Sequence, residues 1–419
     1  MSIKFIGSQK LVASVFNSSS VKAVASIFLI TGTCVGGGML ALPVAGGRIG
    51  FFPAAFALTL AYIFMTITGL LYLEIAAIIK EESHIITMAD RFLGHRGRSL
   101  CWIIYLFIGY ASLVAYLSEG GKILIHYFNQ VGAFPVHSSI GSLAYAGIFA
   151  MLVACGASMV DRVNSVLFAL MVLAFLALVT LGAGEFNPSL IIRQNWDGIT
   201  LISLFPLMLT TFSYPGIVPV IYASLKRNIR QVRIVVLCGT TLTYLIYLLW
   251  LWVILGSVPR ESLEHAYQHD HSAALLLRDA VQSPVVGYLG EVFGFLALST
   301  SMIGVGWALV HFLADGLKIG KCRRGLFKLT TIIIVPSLVF LFSLQKVFFA
   351  ALEMSGGLGD ALISGMIPAW MLWVARYKMK LKGPYQVTGG PIILALVLIV
   401  SILTCSYELL HRLAGSMLN

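Results

Sequence analysis

The sequence predicts an all-α membrane protein of about 11 transmembrane helices, a 5+5 inverted repeat with broken helices 1 and 6 and one extra C-terminal helix. Three observations predict it. The 419 residues are 59% hydrophobic and only 11% charged, whereas a soluble domain carries roughly 25% charged residues. Apolar runs of about 20 residues, enough to cross a bilayer as a helix, use up nearly the whole chain and leave no room for a sizeable soluble domain. The first and sixth runs carry helix-breaking residues at corresponding places in two blocks of five.

Residues 1–22 are polar and mixed, with Lys4, Lys10 and Lys22 ahead of the first apolar run. A lysine-flanked apolar start can be a cleaved signal peptide. Here the run continues through a glycine cluster and a second span follows at once, so 1–22 is read as a cytoplasmic tail. The first span, about 23–45, contains Thr31-Gly32-Thr33-Cys34-Val35-Gly36-Gly37-Gly38-Met39-Leu40-Ala41-Leu42-Pro43. Glycine costs about 1 kcal/mol in a helix interior relative to alanine, so Gly36, Gly37 and Gly38 together invite the helix to open. In hydrocarbon an opened backbone is tolerable only inside protein or beside water, which makes this stretch a candidate binding site at mid-membrane depth. The competing reading is close helix packing through the small-xxx-small pattern Gly32-Thr33-Cys34-Val35-Gly36.

Spans at about 53–79, 100–127, 139–157 and 164–185 complete a first five-helix repeat, 23–185. A second repeat, 186–374, holds spans at about 199–224, 233–256, 287–317, 328–343 and 348–374. Residues 375–419 add a cytoplasmic loop, an eleventh span at about 391–410 and an outside C-terminus. The sixth span reads Thr210-Thr211-Phe212-Ser213-Tyr214-Pro215-Gly216-Ile217-Val218-Pro219. Pro215 removes a ladder N–H and clashes with the carbonyl four residues back, so this helix breaks near its middle. Two blocks of odd span number must run in opposite directions, the inverted-repeat arrangement of many secondary transporters.

Of the 28 lysines and arginines, 21 fall in the N-terminal tail and the loops on its side, and seven elsewhere. That bias puts the N-terminus inside. It also accounts for the net charge of +11 without nucleic acid, whose binding needs a basic soluble face. Cys34, Cys101, Cys155, Cys238, Cys322 and Cys405 are dispersed with no CxxC, so neither a disulfide framework nor a zinc site is expected. The longest outside segment, about 257–286, holds His265, His269 and His271. It is read as a solvated gate helix, because no cysteine or carboxylate framework completes a metal geometry.

Several stretches together carry a family likeness. They are Gly32-Thr-Cys-Val-Gly-Gly-Gly-Met-Leu-Ala-Leu-Pro43, Leu-Leu-Tyr-Leu-Glu74, Tyr110 with Tyr116, Val160-Asp161-Arg-Val-Asn164 and Phe212-Ser-Tyr-Pro-Gly-Ile-Val-Pro219. Later come Asn228-Ile-Arg230, Thr300-Ser301 with Leu313-Ala-Asp315, and Tyr385-Gln-Val-Thr-Gly-Gly390. Over nearly its whole length the chain resembles the bacterial aromatic amino acid permease family, in particular its tyrosine-specific transporters. That family lies within the amino acid/polyamine/organocation superfamily and shares the leucine-transporter fold. The resemblance implies uptake of an aromatic amino acid, foremost tyrosine, across the inner membrane by cation symport, with a proton as the expected ion. Tryptophan, phenylalanine or another neutral amino acid, and sodium, are the alternatives.

A zwitterion needs donors for its carboxylate and acceptors for its ammonium. The amides of Gly36, Gly37 and Gly38, at the positive end of a half-helix and next to Thr33, suit the carboxylate. Carbonyls near Thr210, Thr211 and Phe212 suit the ammonium, with Ser213 and Tyr214 beside them. Tyr105, Gly109, Ser112, Tyr116 and Glu119 share one face of the third span. A small, polar face in an oily helix should look at a cavity; packing is the alternative, and Tyr110 points elsewhere. Phe212, Tyr214 and Tyr116 could form an aromatic cleft. Ion-coupling candidates are the in-membrane acids Glu119, Glu353 and Asp360. Lys122, three residues on, can neutralise Glu119. Glu353 and Asp360, seven apart, share a helical face and depart from the small or apolar residues of the resembled family. Gly32 and Val35 carbonyls set against Thr300 and Ser301 resemble the sodium site of the leucine-transporter fold, although such hydroxyls also bond between helices structurally. No metal or organic cofactor is expected.

A membrane-embedded enzyme is the reading from another class. The chain has no Walker A run, no H-E-x-x-H and no G-x-S-x-G, so pumps and intramembrane hydrolases lack their chemistry. A passive channel would leave the paired breaks without a role. The expected partners are a small amino acid and the lipid bilayer.

Overall fold

The computed structural model describes residues 19–79, 84–131, 137–182, 184, 186–280, 283–320, 322–344 and 346–417. Lys4, Lys10, Lys80, Lys321 and most of the expected 1–22 tail lie outside the described residues. The first broken span is α1 (Ser19–Cys34) and α2 (Gly37–Gly47). Next come α3 (Phe51–Ile79), α4 (Ile85–Val131), α5 (Ser138–Ala154) and α6 (Ala157–Gly182). A short α7 (Pro188–Ile192) leads to the second interrupted span: α8 (Gly198–Thr211), a 3-10 turn (Pro215–Ile217) and α9 (Val218–Ser224). Then follow α10 (Ile229–Ser257), a hairpin of α11 (Arg260–Gln268) and α12 (Ala273–Ala280), α13 (Pro284–Leu317) and α14 (Arg323–Ser343). The tenth span is α15 (Val347–Met354), a π-helical segment (Ser355–Met366), α16 (Ile367–Trp373) and a π turn (Val374–Lys378), and α17 (Gly390–Met417) ends the bundle.

Among the described residues nine runs are long and apolar enough to cross a membrane. The bent pair α1–α2 makes a tenth, and the apolar α5, at 17 residues, brings the count to the expected figure. The boundaries move in places. α4 begins 15 residues before the apolar run, at Ile85, and turns at Gly94, whose φ of 69° is left-handed and costs glycine nothing. The expected gate helix is two helices joined through Gln268–Ala273.

The two breaks differ. α1 and α2 meet at 56°, whereas α8 to α9 loses its ladder without a bend above 40°. In the first break only Val35 and Gly36 are non-helical; Gly37 and Gly38 already belong to α2. The expected common face of Glu353 and Asp360 is not formed. Ser355–Met366 is π-helical, its wider turn alters the register, and the two carboxyls reach different partners: Arg412 and Tyr267 for Glu353, Ser213 and Ser364 for Asp360.

Several prolines leave a trace in the packing. A proline inside a helix has no N–H for the carbonyl four residues back, and in hydrocarbon that carbonyl needs another donor. Pro43 deprives Met39, and the Trp250 indole N–H on α10 donates to Met39 O at 2.8 Å. Pro215 deprives Thr211, whose O takes the Tyr247 hydroxyl at 2.8 Å. Pro336 deprives Ile332, whose O takes the Tyr110 hydroxyl at 2.9 Å. At Pro368 the π register shifts the loss to Ile363, whose O accepts from the Tyr72 hydroxyl. Side chains that look like core aromatics are thus donors matched to particular prolines.

Candidate functional site at the two helix breaks

The glycine cluster is met by three different elements. A Cβ on Gly36 would lie 2.2 Å from Ser301 Oγ of α13, one on Gly37 2.7 Å from the Tyr116 ring of α4, and one on Gly38 3.1 Å from Thr211 Cγ2 of α8. No side chain larger than hydrogen fits at the first two. The backbone opens where neighbours press against it. Among the described residues no acceptor meets the amides of Gly36, Gly37 or Gly38, which stand at the positive end of α2.

The carbonyl side is already occupied. Thr211 O takes Tyr247; Thr210 O takes Ser213 N at 3.4 Å and Phe212 O takes Tyr214 N at 2.7 Å. The three acceptors expected to be free are thus satisfied within the protein, because the link folds into tight turns. Tyr247 also reaches Cys34 O at 2.7 Å, so one hydroxyl serves both broken spans. Phe212 packs edge-on against the Tyr247 ring, centroids 5.4 Å apart. Tyr247 and Trp250, one turn apart on α10, escaped the sequence reading. The signal available was the pair of prolines, each of which demands a donor.

The remaining candidates divide. Ser112 and Tyr116 are buried on α4, with Tyr116 against Gly37. Ser301 Oγ lies 3.4 Å from Val35 O. Ser213 Oγ donates to Asp360 Oδ1 at 2.6 Å. These gather around the breaks. Thr33 does not: it is exposed and its hydroxyl bonds back to Leu29 O at 2.7 Å. Thr210 bonds Leu352 O, Thr211 Oγ1 bonds Met208 O, and Gly32 faces Phe168. Thr300 donates to Leu296 O and Ala297 O of its own helix. Tyr214 is committed elsewhere, its hydroxyl donating to Met65 O at 3.1 Å and accepting from Thr240 at 3.0 Å.

Glu119 and Glu353 belong to the hairpin end of the bundle. Lys122 lies 3.2 Å from both Glu119 and Asp270, and Glu119 accepts Ser272 N at 2.8 Å. Asp270 caps the start of α15 by accepting Phe348 N and Phe349 N at 2.9 and 3.0 Å. Burial holds the neighbouring His271 below the ordinary histidine range, so at neutral pH it adds no charge there. Arg412 joins Glu353 at 2.7 Å and Glu408 at 2.8 Å, while the Tyr267 hydroxyl donates to Glu353 at 3.2 Å. The Arg48 guanidinium sits 4.4 Å over the Tyr267 ring and 3.4 Å from Glu264. These contacts tie the hairpin to α2, α4, α15 and α17 and seal that end.

The other end is looser. From Ser301 along one face of α13, Gly304, Ala308 and Asp315 are exposed, as are Gly216, Val220 and Ser224 beyond the second break. Nothing lies within 4 Å of a Cβ placed on Gly304 or Gly216. These exposed groups lie along α13 and α9 between the breaks and the lysine- and arginine-rich end.

Residues 19–408 match the tryptophan/tyrosine permease family. The chain belongs to that family. The permease is therefore a membrane transporter and not an enzyme. It is 28% identical over 389 residues to "Tyrosine-specific transport system 1" of Haemophilus influenzae, covering 92% of this chain and 96% of that one. It is likewise 28% identical over 390 residues to the "Tryptophan-specific transport protein" of the same organism, covering 90% and 92%. The "Low affinity tryptophan permease" of Escherichia coli K12 is 26% identical over 388 residues, covering 90% and 92%. A crystal structure of MhsT in complex with L-phenylalanine superposes with a TM-score of 0.66 at 15% identity, covering 92% of the permease and 97% of MhsT. The permease thus has the leucine-transporter fold that the family resemblance implied.

Proposed function

We propose that the permease imports an aromatic amino acid, foremost tyrosine, across the bacterial inner membrane by proton symport, with its N-terminus in the cytoplasm. On this reading the two repeats are 23–185 and 186–374. The observation that carries it is the start of α2: three adjacent glycine amides without acceptors, held between Tyr116, Thr211 and Ser301. A helix N-terminus with open amides suits a substrate carboxylate, and in transporters of inverted-repeat design broken helices supply such sites. The Tyr116 ring beside Gly37 and the Phe212 ring against Tyr247 give the aromatic surface. Similarity to tyrosine- and tryptophan-specific relatives supports the substrate class.

Sodium is the second reading, favoured by Ser301 Oγ beside Val35 O, since hydroxyls and carbonyls suit a hard cation. Thr300, turned to its own helix, weakens it.

Purified permease in proteoliposomes is expected to accumulate radiolabelled tyrosine under an inward proton gradient, with sodium replaced by choline. A competition panel of the twenty amino acids reads the substrate. No accumulation of any aromatic amino acid under either ion gradient refutes the proposal; accumulation of tryptophan in preference to tyrosine corrects its substrate.

A further inference from the structure

Seven acidic side chains among the described residues are buried: Glu74, Glu119, Asp270, Glu291, Glu353, Asp360 and Glu408. Six face a basic group. Arg376 pairs with Glu74, Lys122 with Glu119 and Asp270, His126 with Glu291, and Arg412 with Glu353 and Glu408. Asp360 has no such partner among the described residues. It is fully buried in the π-helical segment. Its Oδ1 accepts from Ser213 at 2.6 Å and Ser364 at 3.2 Å, and its Oδ2 is buried with no hydrogen-bond partner.

An ionised carboxylate in such a place is a buried charge without compensation, the costliest arrangement a protein interior offers. Asp360 therefore calls for a cation that comes and goes. The position is suited to coupling, because Ser213 lies in the non-helical link between α8 and the 3-10 turn, on the second break. Of the positive charges on the packed elements, Arg412 of α17 and Lys122 of α4 are committed to other acids. Cys34, Tyr72 and Tyr116 lie within electrostatic reach. Glu408, whose stem touches Gly357, and Glu353 share Arg412 between them.

We infer that Asp360 carries the coupling proton on Oδ2 in the transport cycle. The inference rests on the symport reading above and names the group that performs it. A proton arriving from the hairpin side adds to Oδ2 and leaves a neutral acid, while Oδ1 keeps its two hydroxyl donors. After substrate release the proton leaves Oδ2 toward the basic end, and the carboxylate is restored. Each cycle moves one proton with one zwitterion and hence one positive charge.

The test compares wild type with Asp360→Asn and Asp360→Glu in proteoliposomes that enclose a pH-sensitive dye. Asp360→Asn is expected to lose at least tenfold in gradient-driven tyrosine accumulation and to show no tyrosine-induced proton entry, while still exchanging labelled for unlabelled tyrosine at equal pH. Asp360→Glu is expected to retain proton entry with a displaced pH profile. Ser213→Ala removes a donor that favours the ionised form, so the proton is held more tightly and the pH profile of uptake moves upward. Accumulation and proton entry undiminished in Asp360→Asn overturn the inference. So does loss of exchange and tyrosine binding in folded Asp360→Asn, which would make the carboxylate the ammonium ligand. If Asp360→Asn does not fold, a Ser213→Ala profile identical to wild type overturns it. Failure of wild type to accumulate any aromatic amino acid refutes instead the reading on which the inference rests.

Discussion

Tyr247→Phe removes one hydroxyl and nothing else. Its proton is shared between Cys34 O and Thr211 O, and the second of these has no helical donor because residue 215 is proline. Leaving a buried carbonyl unsatisfied costs about 1–3 kcal/mol. Lost hydration cannot be recovered, since Tyr247 and Thr211 are both buried. The hydroxyl holds the ends of two broken helices together, so the cost falls on the geometry that grips the substrate. If all of it enters binding, KM for tyrosine rises between about fivefold and 150-fold. Two assays check this: initial rates of uptake in proteoliposomes, and the thermal midpoint of the purified protein in detergent. Tyr110→Phe is the control. It removes the donor to Ile332 O, which is exposed on α14 and away from the breaks, so it should cost less stability and leave KM unmoved. Wild-type stability and KM in Tyr247→Phe, or an equal KM change in Tyr110→Phe, would refute the reasoning.

Gly37→Leu places a Cβ 2.7 Å from the Tyr116 ring and is expected to abolish uptake with membrane insertion intact, as read by transport and by yield in the membrane fraction. Trp250→Phe should destabilise through both a lost donor and a smaller ring. In a Pro43→Ala background the returning helix N–H should shrink that loss by about 1 kcal/mol, measured as a double-mutant cycle; a cycle that closes to zero counts against the pairing. Arg412→Ala leaves Glu353 and Glu408 buried together and should cost about 3–5 kcal/mol in unfolding assays. Arg193→Ala breaks an exposed pair at 3.9 Å and should cost no more than about 1 kcal/mol.

What the sequence disclosed was local. Gly36 to Gly38 and Pro215 announce interrupted helices because their effect on the backbone needs no knowledge of neighbours. Lys122 beside Glu119 was visible for the same reason, being one turn away. What stayed hidden depended on other helices or on register. Thr210, Thr211 and Phe212 looked like open acceptors, but their carbonyls meet Ser213, Tyr247 and Tyr214. Tyr214 looked like a pocket wall, yet Met65 O and Thr240 claim its hydroxyl. The spacing of Glu353 and Asp360 implied one face only under an α-helical turn, and the π segment between them removes that condition. Asp360 becomes distinctive only when the other six buried acids are seen beside their basic neighbours.

The matching of prolines with distant donors constrains how such a protein can change over generations. If Trp250 is replaced while Pro43 remains, Met39 O is stranded at once. Replacing Pro43 first restores the local bond, after which a change at Trp250 no longer strands a carbonyl. The same order holds for Tyr110 with Pro336, whereas Tyr247 also serves Cys34 O and stays required whatever stands at position 215. Descent therefore runs one way through the Trp250 and Tyr110 pairs: the imino acid must yield before its aromatic companion can.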